Sequence, residues 1–151
     1  MKHIFETTVR VRYAETDQLG VVYHSNFFIW FEVGRVELLR QAGFSYKEME
    51  QKDDSHIVVA EARCTYKKPA RYDDVLRIRT RVAGIRTRSI RFAYEVLNQE
   101  SGNLLATARP CTSFATATAG PRRCRKNTGG HSRLAGRILL IRPIPATADP
   151  P

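Results

Sequence analysis

The chain has 151 residues, 42% of them hydrophobic, which suits one domain with one sizeable core and leaves little room for two. No run of eighteen apolar residues occurs, so a membrane-spanning helix is not expected, and Met1–Thr8 lacks the apolar stretch of a secretory leader. The net charge of +10 suggests nucleic acid, but residues 1–107 carry 17 basic and 14 acidic residues, whereas residues 108–151 carry 8 basic residues and only Asp149. The basicity belongs mostly to the tail, which argues against a basic binding face on the folded domain.

Thr7 to Tyr13 alternates apolar and polar residues and predicts a strand with one wet face. A polar loop, Ala14 to Gly20, follows. Val21-Val22-Tyr23 leads into a helix from Ser25 or Asn26 to Gln41, with good N-cap residue types at its start and Gly43 as C-cap. Its many apolar residues predict burial on several sides. Glu48 to Asp54 reads as a charged linker. Ile57 to Tyr66, Val75 to Val82 and Arg88 to Leu97 read as strands, and Asn98 to Asn103 as a hairpin turn. Leu104 opens a last strand expected to run to about residue 115. The order predicts an α+β fold, an antiparallel sheet wrapped around one long central helix.

Composition changes abruptly after Thr107. The first 107 residues hold eleven valines and six tyrosines; residues 108–151 hold no valine, tyrosine or glutamate, and Pro110 is expected to interrupt a central strand. The domain is therefore expected to be 1–107, with 108–151 an atypical basic tail. A shifted reading frame accounts for it. One base inserted after the Thr107 codon can yield G-E-T-V-H-V-I-C, an alternating strand, then D-R-D-G-R-P-P-A-L-P-E-K-Y, a turn and a polar end.

Cys64, Cys111 and Cys124 have no metal-like spacing and form no C-x-x-C pair, which fits a reduced, cytoplasmic setting; Cys64 reads as a small apolar strand residue. No metal or cofactor is implied.

The chemistry concentrates in Tyr13 to Phe27, Y-A-E-T-D-Q-L-G-V-V-Y-H-S-N-F. A loop carboxylate, Asp17, precedes a glycine and the start of a helix, whose first N–H groups are unpaired and carry partial positive charge. A thioester carbonyl there is stabilised as it becomes an oxyanion, while the carboxylate attacks it or activates water. By residue type alone, Asp17 is more often a turn or cap residue and His24 a helix-start residue. Tyr13 by itself simply ends a strand, and Glu15 is expected in solvent. The Trp30 and phenylalanine face reads as core or dimer interface.

The pattern Y-x-x-T-D-x-x-G-V-V-Y-H-x-x-F resembles the signature of hot-dog acyl-CoA thioesterases related to 4-hydroxybenzoyl-CoA thioesterase and the Tol–Pal-associated thioesterases. The resemblance covers roughly residues 1–107, and the frame-shifted ending resembles the family's last strand. It implies that Asp17 is catalytic and that Tyr13 and His24 shape the site. It further implies that Gly20 permits close backbone approach and that backbone N–H near Tyr23 and His24 is the oxyanion donor. Arg86-Thr87-Arg88-Ser89 lies at a turn where such enzymes hold the nucleotide, so Arg86, Arg88 and Ser89 are candidates for the coenzyme A phosphates, against a solvated turn. Lys67, Lys68 and Arg71 read as a solvated basic turn. The resemblance implies acyl-CoA as substrate and a homodimer or homotetramer, with an acyl carrier protein as a further candidate partner; no nucleic acid or membrane insertion is expected. The alternative is a non-catalytic hot-dog module that binds acyl-CoA or acyl carrier protein.

Overall fold

A computed structural model describes residues 4–43, 47, 55–86 and 89–117. Its elements in chain order are β1 (Phe5–Arg10), a single 3-10 turn (Tyr13–Glu15), α1 (Asn26–Gln41), β2 (Ser55–Glu61), β3 (Cys64–Tyr66), β4 (Val75–Ile85), β5 (Ser89–Asn98) and β6 (Leu104–Ala117). The strands form one antiparallel sheet in the order β1-β4-β5-β6-β2, with β3 also pairing with β6.

Alternation along the strands decides which face meets the helix. On β4, Leu76, Ile78 and Thr80 are buried; on β5, Phe92, Tyr94 and Val96 are buried. The intervening arginines Arg77 and Arg79 point to the outer face, where both meet Glu6 of β1 and Arg79 also meets Glu95. Helix α1 lays Phe27, Trp30, Phe31, Leu38 and Leu39 on the inner face, and Phe31 stacks on Tyr94 with ring centroids 4.9 Å apart. Each such side chain contributes about 1.5–3 kcal/mol by leaving water.

The helix bounds match the expectation, and Gly43 sits at φ +78°, the left-handed conformation that closes a helix. Burial is narrower than the expected several sides: Phe28 and Ile29 are exposed.

Strand boundaries differ in three ways. β1 begins at Phe5 and ends at Arg10, because Val11 leaves the ladder to bond the Asp73–Asp74 turn. The expected strand Ile57–Tyr66 is two strands, broken at Ala62 and Arg63. Pro110 does not interrupt β6. Phe92 pairs with Cys111 and Tyr94 with Ala108, so Arg109 and Pro110 together face Ala93 in a bulge. On the other side, Glu61 pairs with Thr112 and Cys64 with Ala108, so Arg109, Pro110 and Cys111 face the gap between β2 and β3. Proline lacks a ladder donor, and it sits where both neighbouring ladders are already interrupted. Residues 118–151, with the remainder of the expected basic tail, lie outside the described residues.

Candidate active site

The site is built from the loop between β1 and α1. Its first part is the 3-10 turn, in which Tyr13 O accepts the Thr16 N–H at 3.1 Å and the Thr16 hydroxyl at 2.7 Å. Its second part folds back on itself: Asp17 N–H donates to Val21 O at 2.9 Å, and Thr16 and Val22 form an isolated bridge. Gly20 closes this turn at φ +71° with open space where a Cβ would stand. Glycine suits that left-handed backbone, which residues with a side chain rarely adopt.

Asp17 is half-buried. Its Oδ1 accepts the Leu19 N–H at 2.8 Å, an Asx turn that fixes the carboxylate plane, and Oδ2 has no partner among the described residues. One oxygen thus orients the group and the other is available for chemistry.

Glu15 overturns its expected place in solvent: it is only 5% exposed. Its Oε2 accepts the Arg12 N–H at 2.8 Å; its Oε1 accepts the Arg12 Nη2 at 3.0 Å and the Trp30 indole N–H at 3.3 Å. Burial pushes its pKa up, but the Arg12 backbone and guanidinium and the Trp30 indole outweigh that and hold it below the ordinary carboxylate value. Its carbonyl accepts the Tyr23 N–H at 2.9 Å and the Asn26 amide at 2.8 Å. Glu15 therefore ties the loop carrying Asp17 to the first two turns of α1.

That arrangement decides which N–H groups at the helix start are occupied. Tyr23 N–H is occupied by Glu15. Ser25 stands at the N-cap with helical backbone angles, and its side chain makes no capping bond. His24 N–H and Ser25 N–H have no acceptor among the described residues. His24 itself is exposed, its ring 4.3 Å from that of Tyr23. Tyr13 is 78% exposed and meets Tyr72 edge-on at 5.7 Å.

Two further residues reach the site without any motif to announce them. Tyr66, at the end of β3, donates its hydroxyl to His24 O at 2.9 Å and meets His24 and Phe27 edge-on. Burial and the neighbouring half-buried Cys64 push its phenol up to about 12. Asn26, read as an N-cap candidate, uses its side chain on Glu15 instead. Further along α1, a recess of about 230 Å³ opens between the helix and the β2–β3 break, lined by Phe28, Ile29, Phe31, Glu32, Val59 and the buried Arg35.

The expected phosphate contacts lie at the β4–β5 turn. Arg86 is exposed and its N–H donates to Ser89 O at 2.8 Å, closing the turn; Arg88 lies outside the described residues. Among the described residues no hydrogen bond, ion pair or ring contact joins this turn to the Asp17 loop. Lys67 and Lys68 are exposed and tied by backbone N–H to Leu105 O. Among the described residues no group of three or more His, Cys, Asp or Glu side chains converges, and no helix is long and apolar enough to cross a membrane.

The loop carboxylate is braced against the start of α1, which packs on the antiparallel sheet, and the profile of the thioesterase-like superfamily matches residues 11–145. The chain belongs to the thioesterase-like superfamily. Its fold is the hot-dog fold, and its enzyme class is that of the thioesterases. This thioesterase-family chain is 38% identical over 96 residues to a putative acyl-CoA thioesterase, YneP, of Bacillus subtilis, covering 64% of this chain and 69% of that one. It is 36% identical over 98 residues to the acyl-CoA thioester hydrolase YbgC of Escherichia coli, covering 65% and 72%. The solved DHNA-CoA thioesterase of Staphylococcus aureus superposes with a TM-score of 0.77 at 29% identity, covering 91% of each chain.

Proposed function

We propose that this thioesterase hydrolyses acyl-coenzyme A to a free carboxylic acid and coenzyme A, with Asp17 as general base or nucleophile. The observation that carries the reading is the state of the Asp17 carboxylate. One oxygen is held by Leu19 N–H and the other is open, in a loop braced to a helix start whose His24 and Ser25 N–H groups are unspent.

As general base, Asp17 takes a proton from water while the hydroxide oxygen bonds to the thioester carbon. The carbonyl becomes an oxyanion facing the helix start, which favours negative charge. The C–S bond then breaks, and the proton goes to the departing coenzyme A sulfur. As nucleophile, an Asp17 oxygen attacks the same carbon, coenzyme A leaves, and water hydrolyses the mixed anhydride. His24 and Tyr13 border the approach to this carbon, and the acyl group occupies the recess beside Phe28 and Ile29. Arg86, Arg88 and Ser89 hold the coenzyme A phosphates.

The enzyme works as a homodimer or homotetramer in the cytoplasm, and an acyl carrier protein is a second source of the thioester. The exposed Phe28, Ile29, Val58 and Val59 support assembly at the edge strand β2, where a second subunit would close the open side of the acyl recess. The reading is tested by incubating purified protein with acyl-CoA substrates of aliphatic and aromatic type and measuring thiol release. Catalytic release with at least one of them is expected; binding without release throughout means a non-catalytic module.

A further inference from the structure

We propose that Tyr66 is a positioning residue for thioester hydrolysis, orienting the Ser25 backbone N–H as an oxyanion donor through the peptide they share. The inference rests on the hydrolytic reading above and deepens it.

The Tyr66 hydroxyl donates to the carbonyl oxygen of His24 at 2.9 Å. That carbonyl and the Ser25 N–H belong to one peptide unit, which is planar and trans, so they point in opposite directions. Fixing the carbonyl therefore fixes the N–H. A hydrogen bond to the oxygen also withdraws electron density from the amide and strengthens its N–H as a donor. Three other facts converge on this peptide. Tyr23 N–H is consumed by Glu15 O. The Ser25 side chain does not cap the helix. Asn26 N–H is consumed by Tyr23 O. Between two occupied donors, His24 and Ser25 N–H are left unspent, and Ser25 is the one whose peptide is gripped from behind.

Tyr66 also suits the task chemically. With a phenol that deprotonates only near 12, it remains a donor across the whole neutral range. Its ring rests edge-on against Phe27 and His24, at 5.2 and 6.3 Å, so the hydroxyl is aimed by packing. Because it acts on the far side of the peptide, it need not touch substrate.

The test compares wild type, Tyr66→Phe and a variant with 3-fluorotyrosine at position 66. Phenylalanine keeps the ring contacts and removes the hydroxyl, with its bond to His24 O and its hydrogen bond with the Cys64 side chain, so Cys64→Ala, which leaves the His24 bond in place, is the control and should keep the wild-type kcat. The expected result is a kcat lower by about tenfold with KM nearly unchanged, since an oxyanion donor acts in the transition state. The pH–rate profile should keep its shape, and fluorotyrosine, which retains the donor, should restore the rate. In the free protein, the Ser25 amide proton should shift upfield in Tyr66→Phe, more than that of Tyr23. An unchanged kcat in an active enzyme, or an unmoved Ser25 amide, overturns the proposal. A loss of the alkaline limb of the profile also overturns it, because Tyr66 would then be a proton donor to substrate. If wild type hydrolyses no acyl-CoA, the parent reading fails, whereas the amide shift still tests the coupling of Tyr66 to Ser25.

Discussion

Two acidic residues two positions apart in one loop have opposite surroundings. Asp17 keeps an open oxygen, whereas both Glu15 oxygens are spent on Arg12 and Trp30. Chemistry needs the first kind of carboxylate and architecture the second. Glu15→Gln removes the charge behind three hydrogen bonds and turns one acceptor into a donor, so it should cost about 1–3 kcal/mol. Denaturant unfolding of the variant measures this. The sign of the pH dependence follows from the lowered pKa of Glu15. Its stabilisation is present above the unfolded-state value, about 4.3, and is lost as pH falls through the lower folded value. Wild type should therefore lose stability on acidification below that range more steeply than Glu15→Gln does. Asp17 was legible because its spacing from Gly20 and His24 lies within one local segment. Glu15 was not, because its burial depends on Trp30, fifteen positions away and on a different element.

At the scale of elements, the end of α1 could be read from Gly43, a local signal, and its start from the polar Ser25-Asn26 pair, although neither side chain caps the helix. The contact beneath it could not. Gly34 faces β4, and a Cβ there would clash with Thr80 Oγ1 and lie 3.0 Å from Ile78 Cγ2. Both neighbours are β-branched side chains on a central strand and have little room to yield. Gly34→Ala gains about 1 kcal/mol of helix propensity but overpacks this contact, a cost of about 1–3 kcal/mol and occasionally more. The net expectation is a lower unfolding midpoint, and an unchanged or raised midpoint would mean the helix can lift off β4 freely. The split of β2 from β3 was equally hidden: Ala62 and Arg63 carry no turn signal, and the break matches the bulge at Arg109–Pro110 on the neighbouring strand. Such a break is a property of the pair of strands and of neither sequence alone.

Over the whole molecule, the fold class follows from five strand-like stretches, three of them alternating, and one long apolar helix, and the structure has that layout. The composition change after Thr107 falls inside β6, not after it, since the strand runs to Ala117. We propose that residues beyond Thr107 nonetheless descend from a shifted reading frame, on the loss of valine, tyrosine and glutamate and the net of +7 over residues 108–151. Replacing 108–151 with the back-translated ending gives β6 an alternating strand without proline. It should raise stability by several kcal/mol, a large fraction of a domain's total. It should also reduce non-specific retention on nucleic acid. Equal denaturant stability of the two versions would count against the shift.

The account stands or falls on the Asp17 carboxylate, and steady-state thiol release by Asp17→Asn against wild type, on whichever acyl-CoA the wild type turns over, tests it most directly. The substitution keeps the size of the side chain and its acceptor for Leu19 N–H, so the unfolding midpoint should stay close to wild type while kcat falls about a hundredfold or more. A folded Asp17→Asn enzyme with near wild-type kcat would contradict the mechanism.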